Sequence, residues 1–389
     1  MNNKKHKKNI KKYFSTTTHN SRHTRFFDNF IKNVDKDLES FIVKISTLIG
    51  FIMKTISTKD FSSLINVSPH LIYKLIKEHN LPVVPLGNKN ALPPDSIRRI
   101  LEMRGFKYKL KDPNPMIINV FGMKGGIGKT SIATAFAEGS SRLGFRVLAI
   151  DLDMQGNLTQ SFNMKKHGQP VLYHVIVGDK TIEDVILPVT PNLHLLPSSL
   201  DNSQIEHVLN SKQSINITNF FDEMLDSVMS DYDLIVIDCP PSIHKITVCA
   251  SCFATENLIP INADIDSFDG VVMTVSEIEK IERSFKNLSI KINYKIVFNK
   301  YDAREKLSLN IMGSISERKN LRDNLLPIVI RTNTAFKNTK ADGEYIFDSK
   351  KSTAKEDCYA LISELTGIND WVNRGKSNSS IKDVESVVS

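Results

Sequence analysis

The segment Phe121-Gly-Met-Lys-Gly-Gly-Ile-Gly-Lys-Thr-Ser131 constrains this 389-residue chain more tightly than any other stretch. It follows an apolar run, Met116–Phe121, and opens an Ala-rich, helix-forming stretch, Ile132–Glu138. A glycine-rich turn between a buried strand and a helix aims several backbone N–H groups, and the positive end of the helix dipole, at one anion. Gly125, Gly126 and Gly128 let the backbone approach a polyphosphate with no Cβ in the way. Lys129 supplies a point charge for the β- and γ-phosphates and Thr130 a hydroxyl for Mg2+, with Ile127 and Ser131 completing the loop. Met123 stands where the usual phosphate loop begins with glycine, and an extra lysine, Lys124, precedes the Gly-Gly pair.

Around this loop, apolar runs of strand length alternate with helix-length segments to about residue 372. The strand candidates are Ile117–Phe121, Arg146–Ile150, Leu193–Leu196, Leu234–Ile237, Asn257–Ile261, Ile292–Phe298 and Ile328–Ile330. That alternation predicts an α/β fold of the P-loop NTPase type, a mostly parallel sheet with helices on both faces. Two of the strands end in carboxylates: Asp151-Leu-Asp153 after the second, and Asp238-Cys-Pro-Pro after the fourth. Carboxylates at strand C-termini beside a phosphate loop can hold Mg2+ or orient an attacking water. Asn299, after the sixth strand, is a candidate contact to a nucleotide base.

Charge divides the chain unevenly. Residues 1–112 carry 22 Lys/Arg against 9 Asp/Glu, while the remaining 277 carry 29 against 34. All the basic excess lies at the N-terminal end, which points to a polyanion partner there, nucleic acid before membrane. Residues 1–35 read as a basic, disordered segment, and 36–56 as an amphipathic helix suited to dimerisation. Within 57–112 two short helices, the second starting at Ser68-Pro69, flank a tight turn at Asn66-Val67. Leu71, Ile72, Leu75 and Ile76 fall on one face of the second helix, and His70, Tyr73, Lys74 and Lys77 on the other. A hairpin around Gly87-Asn88, bearing Lys89, and a closing helix at 95–104 complete a winged helix-turn-helix. A Pro-containing linker, 107–115, separates it from the domain that bears the glycine loop, spanning 113–372, and 373–389 reads as a polar tail.

The motifs Lys124–Thr130, Asp151–Asn157 and Ile237–Pro241 together closely resemble the ParA family of partition ATPases, the deviant Walker A class that also contains MinD. The resemblance covers residues 116 to about 370. It implies that Lys129 binds the β- and γ-phosphates, that Thr130 and Asp238 hold Mg2+, and that Asp153 orients the attacking water. It implies further that Lys124 reaches the nucleotide in an ATP-sandwich homodimer, and that Arg331, Lys337 or Lys340 binds DNA without sequence preference. The expected partners are DNA, both non-specific and operator, and a ParB-like centromere-binding protein. The N-terminal module, with Ser68 among its candidate DNA contacts, would repress the chain's own operon. Met154 replaces the proline that the family has between Asp153 and Gln155.

Four cysteines without a secretory signal predict a reducing cytoplasm, and the expected location is cytoplasmic and nucleoid-associated. The polar tail has too few apolar residues for a MinD-like membrane-targeting helix, so stable membrane association is not expected. A MinD-like membrane-cycling ATPase, an iron–sulfur carrier using Cys249 and Cys252, and a regulator that binds ATP only as a ligand are the alternatives.

Overall fold

A computed structural model describes residues 54–86, 89–108, 114–165, 168–211, 216–288, 290–349 and 352–374, all within one compact unit. The basic segment 1–35, nearly all of the expected helix 36–56, the Gly87-Asn88 turn and the tail beyond 374 lie outside the described residues.

The N-terminal module follows its local signals closely. The short strand β1 (Ile56–Ser57) enters helix Thr58–Leu64, where the Ser57 hydroxyl accepts from Asp60 N at 3.0 Å. Asn66, at φ 52°, turns the chain into helix Pro69–Glu78, capped by Ser68 with Pro at the first helical position. β2 (Val84–Leu86) and β3 (Lys89–Leu92) form the expected antiparallel hairpin, and β1 adds a third strand on β3. Helix Pro94–Met103 closes the module.

The larger sheet has eight strands. They are β4 (Met116–Val120), β5 (Val147–Asp151), β6 (Leu187–Thr190), β7 (Leu193–Leu196), β8 (Leu234–Asp238), β9 (Glu256–Ile261), β10 (Tyr294–Tyr301) and β11 (Leu325–Arg331). Their order is β11-β10-β9-β4-β8-β5-β7-β6, parallel throughout except for β6, an antiparallel edge strand. β6 escapes the sequence reading because Leu187-Pro-Val-Thr190 is short, half-exposed and interrupted by proline. Side chains alternate cleanly along the central strands. Ile118, Val120, Leu234 and Val236 face a layer with helices Lys129–Arg142 and Thr353–Leu365; Ile117, Ile235 and Ile237 face the opposite layer with helices Lys245–Phe253 and Ile265–Ser284.

The module and the sheet share one of these cores, contrary to the separation that the linker suggested. Phe106 and Tyr108 lie just before the polar 109–113 stretch and pack edge-on against each other and against Phe145, with Trp371 beside Phe106. Tyr108 donates to the Leu143 carbonyl at 2.7 Å, and Arg98 reaches Asp233, which is fully buried, at 2.6 Å. Arg146 holds the other Asp233 oxygen at 2.8 Å. Gly144 makes this approach possible: at φ +88° a Cβ there would lie 2.8 Å from both Arg98 Cβ and the Pro94 carbonyl. A second clamp joins Lys54 to Asp348 at 2.7 Å, and Asp348 also pairs with Arg142. The module therefore rests on the far end of the same helix whose N-terminus follows the glycine loop. Among the described residues no helix is long and apolar enough to cross a membrane.

Candidate nucleotide site

The C-terminal edges of β4, β5 and β8 bring the glycine loop and the two acidic runs together. Gly126 (φ 75°) and Gly128 (φ 94°) adopt left-handed backbone, and helix Lys129–Arg142 starts directly after them. Side chains hold the loop from outside. Asn299, at the end of β10, donates to the Ile127 carbonyl at 2.7 Å, and Lys300 reaches the Gly126 carbonyl at 3.1 Å. Because each peptide is planar and trans, those tethered carbonyls turn the N–H groups of Ile127 and Gly128 the opposite way. Gly125 and Gly126 have open space where a Cβ would be, whereas a Cβ on Gly128 would meet Asn299 Nδ2 at 2.4 Å. Lys129 Nζ lies 2.8 Å from the Lys124 carbonyl, across the loop. Burial lowers its pKa, and Asp238 opposes that shift.

Asp238 is the most unusual group of the site. It is fully buried, and among the described residues neither carboxylate oxygen makes a well-formed hydrogen bond, although the Thr130 hydroxyl adjoins it. Burial, and then the charge of Asp151, push its pKa well above the ordinary value, with Thr130 and Lys129 pulling the other way. A buried carboxylate without well-formed hydrogen bonds costs stability unless a cation satisfies it. With the Thr130 hydroxyl beside it, the donor set is two hard oxygens at a phosphate loop, which fits Mg2+.

Asp151 and Asp153 divide their work in a way that the sequence does not show. Asp151 is the register partner of Asp238, but its own oxygens are occupied: Oδ2 accepts from Thr159 N at 2.8 Å and Thr159 Oγ1 at 2.7 Å. It anchors the short helix Asn157–Ser161. Asp153 is partly exposed and accepts only a local bond from Gln155 N at 3.0 Å, so it retains capacity to receive a proton or a water hydrogen.

Lys124 extends from the loop along helix Ile265–Ser284. A Cβ on Gly270 would lie 2.9 Å from its Cβ, Thr274 Oγ1 accepts from Met123 N at 3.2 Å, and Lys124 Nζ pairs with Asp266 at 2.8 Å. The hydrogen bond from Lys124 lowers the Asp266 pKa. Two exposed apolar side chains, Met154 and Ile265, adjoin Asp153 and Asp266 in the chain. Sequence reasoning missed Asp266, Thr274 and Lys300; the available signal was the polar Asn262-Ala-Asp-Ile-Asp266 run after an apolar strand.

The remaining candidates are distributed as follows. Ser68, His70, Tyr73, Lys74 and Lys77 are exposed on the second module helix, and Lys89 is exposed on the hairpin. Arg331 is engaged by Asp357, which accepts from its backbone N at 2.9 Å and from its guanidinium, so it is a tethered rather than a free cation. Lys337 is exposed on helix Ala335–Asp342; the Lys340 side chain lies outside the described residues. Asn299 braces the loop, a role distinct from the base contact expected of it. Cys249 is buried, with its thiol pushed up to about 12, first by burial.

Comparison with known proteins agrees with this geometry. A family profile described as an AAA domain matches residues 115–292. The cell division protein PomZ of Myxococcus xanthus is 28% identical over 317 residues, covering 80% of this chain and 92% of PomZ. The sporulation initiation inhibitor Soj of Bacillus subtilis is 26% identical, covering 59% of this chain and 89% of Soj. The chromosome partitioning protein ParA of Caulobacter vibrioides is 27% identical, with 59% and 86% coverage.

The chain is similar to partition ATPases of the ParA type.

Solved structures match the fold. An ATP complex of a Cyanothece McdA variant matches with a TM-score of 0.57 at 19% identity, covering 65% of this chain and 97% of that one. MinD from Pyrococcus horikoshii, complexed with Mg-ADP, matches with a TM-score of 0.51 at 22% identity, covering 64% and 96%.

Proposed function

We propose that the chain is a Mg2+-dependent ATPase of partition type that dimerises around ATP and binds DNA in its ATP-loaded form. The observation that carries this reading is the buried Asp238, whose oxygens make no well-formed hydrogen bond, beside Thr130 and a left-handed glycine loop. Thr130 and Asp238 would hold Mg2+, which supplies charge neutralisation on the phosphates. Lys129 and the N–H groups of Ile127 and Gly128 bind and orient the nucleotide, and Asp153 positions the attacking water. Lys124 leaves Asp266 to reach the phosphates of the nucleotide held by a second copy, bringing positive charge to the transferring group as an arginine finger does. The exposed Met154 and Ile265 would then be covered by that copy.

A ParB-like partner stimulates hydrolysis and thereby releases DNA, so copies of a plasmid or chromosome are moved apart. The exposed basic face of helix Pro69–Glu78, together with the hairpin, reads an operator, which makes the protein a repressor of its own operon. Both DNA activities place it in the cytoplasm on the nucleoid. The test is retention of duplex DNA over a range of salt concentrations. Retention that needs ATP and Mg2+ and disappears in Lys129→Ala supports the reading, and DNA retention indifferent to nucleotide overturns it.

A further inference from the structure

A line of polar side chains crosses the otherwise apolar layer beneath the site. Cys239, which follows Asp238, donates its thiol to Asn119 Oδ1 at 3.1 Å. Asn119 lies on β4, two residues before Phe121, where the glycine loop begins. Its Nδ2 donates to Asn257 Oδ1 on β9 at 2.7 Å and lies 3.4 Å from Ser251 Oγ. Asn257 in turn donates to the carbonyls of Ser251 and Asn293, each at 3.1 Å. Cys239, Asn119, Ser251 and Asn257 are all fully buried.

The alternation of β4 calls for an apolar residue at 119, between Ile117 and Phe121 on the same face. A buried amide there brings a desolvation cost that an aliphatic side chain avoids, so its bonds need a purpose. They converge on the residue where the Asp238 strand leaves the sheet. Apart from the adjoining Thr130 hydroxyl, no donor among the described residues holds the Asp238 carboxylate, so its place is set largely by the backbone: by register with Val120 and Asp151, and by Cys239 N donating to the Val120 carbonyl at 3.2 Å. Beyond Cys239 come Pro240 and Pro241, neither of which has an N–H to extend the ladder.

We propose that Asn119 is a positioning residue for the site: through the Cys239 thiol it pins the end of the Asp238 strand to the strand that enters the glycine loop, fixing Asp238 relative to Thr130. This rests on the reading of Thr130 and Asp238 as the Mg2+ pair. The ladder continues through Asn257 into helix Lys245–Phe253, so the pin is backed by three strands and a helix rather than by one contact.

The test compares Cys239→Ala, Cys239→Ser, Asn119→Val and the double variant Asn119→Val/Asn257→Val, using the full chain. Cys239→Ala and Asn119→Val lower kcat and weaken the Mg2+ requirement's midpoint about tenfold or more, the usual effect of losing a group that orients a metal ligand. Their affinity for a fluorescent non-hydrolysable ATP analogue without Mg2+ stays at the wild-type value, while the enhancement of that binding by Mg2+ falls by the same factor as kcat. Cys239→Ser keeps a donor for Asn119 and retains wild-type coupling. The double variant also takes the Asn257 amide from the Ser251 and Asn293 carbonyls, so it loses thermal stability as well as Mg2+ coupling. Wild-type coupling in Cys239→Ala overturns the proposal, as does wild-type coupling in the double variant. If Asn119→Val fails to fold, the two Cys239 variants decide. A wild-type chain whose nucleotide binding ignores Mg2+ would instead refute the functional reading, which is a separate result.

Discussion

Replacing Asp238 with asparagine should leave the metal-free protein at least as stable while abolishing its activity. Asp238 is fully buried, neither oxygen makes a well-formed hydrogen bond, and Asp151 sits opposite it in register on β5. An unsatisfied buried polar group costs about 1–3 kcal/mol, and more when it is charged. Asparagine has nearly the same shape, removes the charge, and ends the repulsion with Asp151. Because the raised pKa already lets the wild-type acid relieve part of that charge, we expect Asp238→Asn to be at least as stable as the wild type in EDTA at neutral pH, with a gain of at most about 1–3 kcal/mol. In a thermal melt each kcal/mol corresponds to roughly 2–4 °C for a domain of about 150–250 residues, and less for a larger one. Adding Mg2+ with a non-hydrolysable ATP analogue should raise the melting temperature of the wild type and leave the variant behind, because only the wild type gains a ligand that its native state binds. ATP turnover in the variant should be undetectable. The reasoning fails if Asp238→Asn destabilises the protein in EDTA, since that would mean the carboxylate is satisfied without an ion.

Two further perturbations follow from the geometry. Asp266→Ala frees Lys124 from its 2.8 Å pair; as both side chains are substantially solvent-exposed, ATP-dependent dimerisation should rise only a few-fold, with the gain shrinking as salt increases, in sedimentation velocity. Arg98→Ala removes one of the two cations on buried Asp233 and should cost about 1–3 kcal/mol in urea unfolding. Burial alone would raise the Asp233 pKa, but the hydrogen bonds from Arg146 and Arg98 outweigh it and hold the carboxyl below its ordinary value. That contribution is present above the ordinary carboxylate pKa and lost as pH falls through the lower folded value. The cost of Arg98→Ala should accordingly shrink below about pH 4.

The glycine loop, the mostly parallel strands around it and the acidic strand ends were legible because each depends on local chemistry: left-handed glycines, continuous apolar runs, and carboxylates where strands stop. What escaped depends on tertiary partners. Asp151 and Asp153 stand two residues apart with the same side chain, and only Thr159 decides that Asp151 is structural. Arg331 reads as a surface cation until Asp357 closes on it, and Arg98, on a helix that looks basic and solvated, turns inward to Asp233. The run 107–115 reads as a linker, yet Tyr108 within it and Phe106 immediately before it carry the docking that joins the module to the sheet.

The most direct test of the account is complementation between two inactive variants. Lys124→Ala retains Asp153, and Asp153→Ala retains Lys124. If each lysine serves the nucleotide on the other copy, a mixed dimer has one complete site and one doubly deficient site. Equal mixing should then restore up to about a quarter of wild-type ATP turnover, since half the dimers are mixed and each has one working site in a two-fold symmetric arrangement. A mixture no more active than the two variants measured separately would contradict a lysine acting across the dimer.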